Sequence, residues 1–247
     1  MDINVQSAEE GVFIAKVAEQ AERYEDMLIF LKPVIEKTGE LSMEERNLVS
    51  VAYKNLSGSK RTAWRALTAI EENPKYVKYH EKTKAYKAKI EGELKKICKE
   101  AITAIDTSLL KNAASAESKV FYLKMKADYY RYTGEVCSGP ELEEVSKKAH
   151  ENYEEAKKVS TTLQPTDPVR IGLALNFSVF LYEIRKKPKE ACEMAKAAFD
   201  EAIAGLQELE EDKYKDATAI MQLLKDNLTL WEAELKEGEE GAEKPDK

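Results

Sequence analysis

The sequence consists mainly of long segments with helical periodicity that few residues interrupt. Between positions 48 and 56, for example, apolar residues recur at spacings of three and four, which places them on one face of a helix. Only 10 Gly and 7 Pro occur among 247 residues, whereas a sandwich or barrel of short strands needs a turn about every 8–12 residues. This pattern predicts an all-α protein and argues against an all-β one.

Helix boundaries are marked by capping sequences and by prolines. The segments Ser7–Glu10 and Ser42–Glu45 have the S-x-x-E form, in which the serine and the glutamate cap the same helix start. Prolines at positions 74, 140, 165, 168 and 188 mark further breaks. We therefore predict nine helices with short connections and antiparallel neighbours, over 7–21, 24–37, 42–72, 78–110, 115–136, 140–162, 167–184, 188–208 and 214–235.

The domain organisation follows from what separates these segments. No linker rich in Pro, Gly or Ser divides the chain, so residues 1–235 are predicted to form a single helical domain. The end of the sequence differs, because residues 232–247 contain seven acidic residues, three basic residues and no aromatic residue. Such a segment cannot bury enough apolar surface to offset the entropy of ordering. We predict that residues 236–247 form an acidic, disordered tail.

The charge balance limits the kinds of partner. The chain has 46 acidic and 39 basic residues and a net charge of −7, whereas nucleic-acid binding requires a surplus of cations to neutralise phosphates. The sequence has no run of 18 apolar residues and no segment of the secretory-leader type, which argues against membrane insertion. We expect an intracellular protein, cytoplasmic with access to the nucleus, that has no nucleic-acid partner.

Motifs for catalysis and for cofactors are missing from the sequence. Its three cysteines and two histidines lie far apart and lack the spacing of a zinc site. It has no glycine-rich phosphate loop and no nucleophile motif, and its many acidic residues fit solvated helix faces. We predict no enzymatic activity, no catalytic residue, no metal and no cofactor. A glutamate-based active site is the alternative that the sequence leaves open.

Three cations form a stripe on the predicted helix 42–72. Lys54, Arg61 and Arg65 lie at spacings of 7 and 11 from the first, and both spacings return to within about 20° of the start on a helix. On spacing alone, an ordinary solvated face with its cations paired to acids is the simpler interpretation. A binding site for an anion is the alternative.

The segment 121–132 combines cations with a high aromatic content, since five of its twelve residues are Phe or Tyr. This density predicts a largely buried helix, on which Lys124 and Arg131 share one face and Tyr132 follows directly. An unpaired buried arginine is very costly. Either acids inside the protein or an anionic ligand must therefore pair with Arg131.

Two asparagines interrupt apolar helix faces later in the chain. Asn176 stands in a nearly unbroken apolar run, and Asn227 lies along a stripe with Ile220, Leu223 and Leu230. An amide group both donates and accepts hydrogen bonds, so it suits the main chain of a peptide bound beside an apolar wall. Pairing with a local backbone group is an equally good interpretation for either asparagine alone.

The chain resembles the 14-3-3 family of phosphopeptide-binding adaptors. The matching strings are VAEQAERYEDM, RNLVSVAYKN, FYLKMKADYYRY, RIGLALNFSVF and MQLLKDNLTLW, in this order, and the resemblance covers about residues 8–232. It implies nine antiparallel helices that form an amphipathic groove in a cup-shaped homodimer. It also implies a signalling adaptor that binds phosphoserine or phosphothreonine motifs of client proteins and regulates their activity, localisation or assembly. A helical-repeat scaffold of the tetratricopeptide type, which binds unmodified peptides, is the alternative.

The resemblance also implies the site residues. The phosphate pocket would consist of Lys54, Arg61, Arg131 and Tyr132. The peptide-binding residues would be Arg65, which supports the pocket, together with Lys124, Leu175, Asn176, Val179, Glu183, Ile220, Leu223, Asn227 and Trp231. In this groove the asparagines would hold the ligand backbone, between a polar and an apolar wall.

A dimer, and heterodimers with related chains, are implied in the same way. The interface residues would be Val17, Ala21, Arg23, Asp26, Ala63, Leu67, Ile70, Tyr86, Lys89 and Glu93, with Arg23–Glu93 and Asp26–Lys89 as ion pairs across it.

Two positions depart from the family pattern. Ala63 replaces a serine whose phosphorylation breaks many dimers, which predicts that this switch is absent. Ala219 replaces a leucine of the apolar wall and is expected to widen the groove.

Overall fold

The structure, a computed structural model, describes residues 5–37 and 39–242. Within these ranges the chain forms nine α-helices and no strand, which confirms the all-α prediction. The helices are α1 (Ala8–Gln20), α2 (Tyr24–Glu36), α3 (Met43–Glu71), α4 (His80–Ala104), α5 (Ala116–Glu135), α6 (Gly139–Ser160), α7 (Pro168–Glu183), α8 (Pro188–Gly205) and α9 (Glu211–Ala242). None of the described helices combines the length and the apolarity needed to cross a membrane.

The capping sequence of α3 forms both of the contacts that its spacing predicts, and that of α1 forms one of the two. The Ser7 hydroxyl accepts a hydrogen bond from the backbone N–H of Glu10 at 3.2 Å, at the start of α1. At the start of α3 the exchange is reciprocal: the Ser42 hydroxyl accepts from the Glu45 N–H, and the Glu45 carboxylate accepts from the Ser42 N–H. These caps satisfy backbone donors that have no partner inside the helix.

The structure differs from the predicted helices at four places, one of which is the end of the predicted helix 188–208, where a 3₁₀ turn over Leu206–Glu208 follows α8. A 3₁₀ helix, Pro74–Tyr79, separates α3 from α4, and the predicted helix 78–110 ends in a π-helical turn over Ile105–Leu109. Helix α9 continues to Ala242, so residues 236–242 are helical where the sequence predicted a disordered tail. Extending an existing helix avoids the nucleation cost, and this allows a weakly apolar segment to continue it. Residues 243–247 of the predicted tail lie outside the described residues.

The contacts divide the described chain into two compact units. The first unit contains the described residues up to Ala114 together with Tyr132–Val145, and the second contains Ser115–Arg131 and the described residues from Ser146 onward. The divisions therefore fall inside α5 and α6. Each unit is described separately below.

In the first unit, neighbouring helices pack along their apolar stripes. Helix α1 packs on α2, α2 on α3, and α3 on α4. Met27, Leu31, Val49 and Leu94 are completely buried in this core, and each such side chain contributes about 1.5–3 kcal/mol by leaving water. Helices α1 and α2 approach so closely that a Cβ placed on Gly11 would lie 2.6 Å from a carbonyl oxygen of α2. Only glycine fits there.

In the second unit, an aromatic cluster fixes α6 against α7. The Tyr153 ring stacks on the Phe177 ring with a centroid distance of 4.9 Å and an angle of 10°, and Phe180 lies 5.4 Å from Tyr153. Helix α7 packs further against α8 and α9. Because all three rings are almost fully buried, this packing holds the Tyr153 hydroxyl in a defined position.

Candidate functional site

An open cleft of about 840 Å³ in the first unit contains three of the four predicted phosphate-binding residues, Lys54, Arg61 and Tyr132. Lys54 is exposed on α3 and has no carboxylate within 4.0 Å among the described residues. Its ammonium group is therefore available to an anion in the cleft. The opposite rim, formed where α1 meets α2, carries Glu22, Glu25 and an Arg23–Asp26 ion pair.

Arg61 is held in the cleft from two sides. Its Nε and Nη2 atoms donate to the two oxygens of Glu135 at 2.9 and 2.6 Å. Its guanidinium group lies 4.0 Å from the centroid of the Tyr132 ring, a cation–π contact. The Nη2 atom of Arg65 donates to the same carboxylate at 3.1 Å. Two arginines thus share one acid, which fixes their side chains and leaves the cluster a net cation.

The predicted stripe of cations is therefore neither a simple solvated face, with every cation paired to an acid, nor a simple set of unpaired cations. Arg61 and Arg65 are paired with an acid, as expected for cations on a solvated face. Arg61, however, is largely withdrawn from solvent, with 20% of its side chain exposed. Lys54 has no such acid. Fixed arginines beside a lysine without an acidic partner make a preorganised site for an anion.

In the second unit, a buried carboxylate organises another set of predicted site residues. Asp128 accepts hydrogen bonds from Lys124 at 3.1 Å, from Asn176 at 2.8 Å and from the Tyr153 hydroxyl at 2.5 Å. Arg131 lies 3.5 Å from the same carboxylate and donates from Nε to the Tyr153 oxygen at 3.2 Å. An internal acid therefore provides the partner that a buried Arg131 requires.

This network maintains its protonation state near neutral pH. Burial acts to raise the pKa of the Asp128 carboxyl, but the charges of Lys124 and Arg131 and the hydrogen bonds from Tyr153 and Lys124 together outweigh it, so the pKa lies below its ordinary value. Burial and the neighbouring carboxylate raise the pKa of Tyr153 well above its ordinary value. Asp128 therefore remains an acceptor and Tyr153 a donor.

The remaining predicted groove residues of the second unit lie on α7 and α9. On α7, Leu175, Asn176 and Val179 are half-buried and Glu183 is exposed. The Asn176 amide donates to the Asp128 carboxylate and not to a local backbone group.

On α9, the predicted groove residues differ in accessibility. Ile220 and Asn227 are half-buried and Leu223 is 52% exposed. The Asn227 side chain has no hydrogen bond within the part of the chain that the structure describes. Trp231 is the least accessible, at 4%, and its ring stacks on Tyr182 with a centroid distance of 4.6 Å.

The predicted dimer residues lie on α1–α4 and the α1–α2 junction. Val17, Ile70 and Tyr86 are apolar and 47%, 41% and 55% exposed. Ala21, Arg23 and Lys89 are also exposed, whereas Asp26, Ala63, Leu67 and Glu93 are half-buried. The charged members are paired within the chain, since Arg23 binds Asp26 and Glu93 binds Lys60 at 2.7 Å. The predicted ion pairs across a dimer would therefore require an exchange of partners.

Sequence reasoning missed three residues that hold the site together. Asp128 lies four residues after Lys124 and three before Arg131, a helical spacing that signals an ion-pair network. Glu135 and Tyr153 gave no comparable signal, because Glu135 reaches across 74 positions to Arg61. The described residues contain no group of His, Cys, Asp and Glu suited to a metal ion.

The fold and the cleft define an all-helical protein with a fixed cationic site suited to an anion. The sequence profile described as 14-3-3 protein matches residues 14–232. The 14-3-3 protein beta/alpha-1 of Oncorhynchus mykiss is 55% identical over 229 residues, 92% of this chain and 93% of that protein. The 14-3-3-like protein 2 of Caenorhabditis elegans is 54% identical over 225 residues, 90% and 91% of the two chains. The chain belongs to the 14-3-3 family.

Membership in this family establishes the function class. Proteins of the 14-3-3 family are adaptors that bind phosphoserine and phosphothreonine motifs, and they are not enzymes. The predicted adaptor function is therefore confirmed, and the alternative of a tetratricopeptide-like scaffold for unmodified peptides is not favoured. Dimerisation and the binding of phosphorylated client proteins follow from the family in the same way.

Proposed function

We propose that Lys54, Arg61, Arg131 and Tyr132 bind the phosphate group of a client peptide. The single observation that carries the proposal is the cleft of the first unit, in which Lys54 has no acidic partner and Arg61 is fixed by Glu135 and the Tyr132 ring. Arg131 directly precedes Tyr132 in the chain. Arg65 supports the pocket by sharing the Glu135 carboxylate.

The chemistry of these four residue types suits a phosphate monoester. A phosphoserine carries about −1.5 to −2 charges at neutral pH and three acceptor oxygens. An arginine fork binds two oxygens at once, a lysine supplies a point charge, and a tyrosine hydroxyl donates without charge. Aspartate and glutamate lack the third oxygen and part of the charge, so acidic mimics of the modified residue bind more weakly.

The residues of α7 and α9 are proposed to bind the peptide on either side of the modified residue. Asn176 and Asn227 hold its main chain, and Lys124, Glu183 and Trp231 form the polar wall. The apolar wall consists of Leu175, Val179, Ile220 and Leu223. Support comes from Leu223, which exposes half of an apolar side chain, and from the Asn227 amide described above. The exposed position of Ala219 leaves more room beside this wall than a leucine would.

The test is a calorimetric titration of the full chain with a phosphoserine peptide and with its unmodified twin. We expect binding of the phosphopeptide alone, because the unmodified serine leaves desolvated cations without a counter-charge. Inorganic phosphate competes with the phosphopeptide if the phosphate group itself is bound. Equal affinities for the two peptides would contradict the proposal.

We propose further that the exposed apolar residues of α1, α3 and α4 form the dimer interface, in homodimers and in heterodimers with related chains. Val17, Ile70 and Tyr86 would otherwise leave large apolar side chains in water.

Ala63 stands where many members of the family have a serine that can be phosphorylated, so phosphorylation at this position cannot separate the protomers. Two grooves in one dimer favour doubly phosphorylated clients through effective concentration. The protein itself is proposed to be cytoplasmic, with access to the nucleus.

A charged substitution at the interface provides the test. Val17→Asp should convert the dimer to a 28.0 kDa monomer, because a dimer would have to bury an unpaired carboxylate. Ile203→Asp on α8 is the matched control, since Ile203 is 51% exposed and Val17 is 47% exposed. Light scattering coupled to gel filtration measures the mass. A Val17→Asp variant that retains twice the chain mass would show that the interface lies elsewhere.

A further inference from the structure

A second surface of the first unit combines exposed apolar and basic residues. We define the basic linker as residues 74–84, which comprise the 3₁₀ helix between α3 and α4 and the first turn of α4. Every residue from Glu72 to Tyr79 is exposed. Val77 is 71% exposed, Tyr79 49% and Tyr76 37%. The segment thus exposes three large apolar side chains to water.

The local backbone sorts these side chains onto distinct faces. The Asn73 side chain caps the segment by accepting from the Lys75 N–H at 3.0 Å, and Pro74 occupies the first turn. A 3₁₀ helix has three residues per turn, so residues three apart share a face. Tyr76 and Tyr79 therefore share one face, and Lys75 and Lys78 share another. Val77 lies on the third face together with Pro74, and the short helix is amphipathic.

The charges of the basic linker contrast with those of the whole protein. It contains four lysines and one glutamate, a net charge of +3 with His80 neutral, in a chain of net charge −7. Lys75, Lys78 and Lys82 have no carboxylate within 4.0 Å among the residues the structure describes. The Lys78 ammonium instead lies 4.8 Å from the centroid of the Tyr79 ring. These cations are available to an external anion.

The combination of charge and exposed apolar residues decides which anion fits. An acidic peptide bound to the lysines would neutralise the charge but would leave Val77, which is 71% exposed, in water. A bilayer with anionic headgroups satisfies both features. Lysines pair with the headgroups, tyrosine rings lie at the headgroup level, and a short apolar side chain enters the acyl boundary. The contact is peripheral and requires no membrane-spanning helix.

We propose that the basic linker docks this protein on anionic lipid bilayers, through Lys75, Lys78 and Lys82 on the headgroups and through Tyr76, Val77 and Tyr79 at the interface. Docking through this surface leaves the phosphate cleft residues unused, because Lys54, Arg61 and Tyr132 belong to a different part of the first unit. The contact is electrostatic in part, so it weakens as salt is raised.

The test is co-sedimentation of the full chain with vesicles of phosphatidylcholine alone and with vesicles containing about one third phosphatidylserine. We expect binding to the anionic vesicles only. The double variant Lys75→Glu, Lys78→Glu should lower the partition coefficient at least about thirtyfold, from the loss of two lysines at a charged surface. The control Lys96→Glu, Lys147→Glu changes the net charge equally at lysines that are each 78% exposed, and it should have little effect.

A second pair of variants separates the apolar contribution from the charge. Val77→Ser should weaken vesicle binding several-fold, and Ile203→Ser should not, because Ile203 is an exposed apolar residue of α8 outside the basic linker. Circular dichroism checks that each variant remains folded. Equal binding to neutral and anionic vesicles, or equal losses in the linker and control variants, would overturn the proposal. Binding of the linker to an acidic peptide but to no vesicle would assign the surface to a protein partner and overturn it as well.

Discussion

Lys54→Glu should reduce the affinity for a phosphoserine peptide by at least about a hundredfold. The lysine contributes a charge-assisted contact of about 1.5–3 kcal/mol, and the glutamate adds repulsion against a group of nearly two negative charges. Together these terms reach about 3 kcal/mol, and every 1.4 kcal/mol is a factor of ten. The fold should be unaffected, because Lys54 is exposed and has no ion pair among the described residues.

The matched control for this prediction is Lys32→Glu. Lys32 lies on α2 of the same unit, its side chain is 72% exposed, and its nearest acid is Glu36 at 3.9 Å. The two variants have the same net charge, so a general electrostatic effect would weaken both equally. Isothermal titration at fixed ionic strength measures the affinities. If Lys54→Glu binds within about threefold of Lys32→Glu, the cleft is not the phosphate site.

Asp128→Asn should destabilise the protein by about 3–5 kcal/mol, the cost of removing one member of a buried charge network. The substitution leaves Lys124 and Arg131 without their counter-charge and places an amide donor among donors. Asp200→Asn is a close control. Asp200 pairs with Lys196 at the same i,i+4 spacing and at 2.9 Å, against 3.1 Å for Asp128 and Lys124, but its side chain is 58% exposed and that of Asp128 is 8% exposed.

An exposed ion pair is worth about 0–1 kcal/mol, so the control should remain close to the unmodified protein. Urea unfolding followed by circular dichroism gives both free energies of unfolding. A loss for Asp128→Asn no larger than that for Asp200→Asn would mean that the network does not stabilise the second unit.

The same variant makes the pH dependence testable. The pKa of Asp128 is lowered in the folded protein, so the unfolded chain binds the proton at a higher pH than the folded chain. The stabilisation that the Asp128 carboxylate contributes is therefore complete above about pH 4, the ordinary pKa of aspartate. It is lost as the pH falls through the pKa that Asp128 has in the folded protein. The stability difference between the unmodified protein and Asp128→Asn should be constant from pH 7 to about 5 and shrink below 4.

Local sequence patterns predicted most of the helices because capping and periodicity act over a few residues. The cap serines Ser7 and Ser42 and the prolines place the helix starts within a few residues of those observed. The Lys54–Arg61 stripe follows from helical geometry in the same way, and Asp128 was recoverable from its spacing to Lys124 and Arg131. The sequence predicted only a break at the 3₁₀ helix Pro74–Tyr79, since its 3₁₀ geometry depends on how α3 ends and how α4 begins.

Assignment of the family also came from the sequence, because several long strings match in order. The matching sequence strings do not show which cations are paired with an acid. Lys54 and Arg61 look alike on a helical wheel, yet Arg61 is clamped by Glu135, and Lys54 has no acid among the described residues. The contact of Asn176 with Asp128 and the contact of Arg131 with Tyr153 were equally hidden, because each joins two different helices.

Helix positions, charge pattern and family therefore follow from the order of residues along the chain, since these properties depend on near neighbours or on matching strings. Tertiary structure alone determines which cation is neutralised and which remains available to a ligand. The physical reason is that a buried charge must find a partner within about 3 Å, and that partner can come from any helix the fold brings near, such as Glu135 for Arg61, 74 residues away.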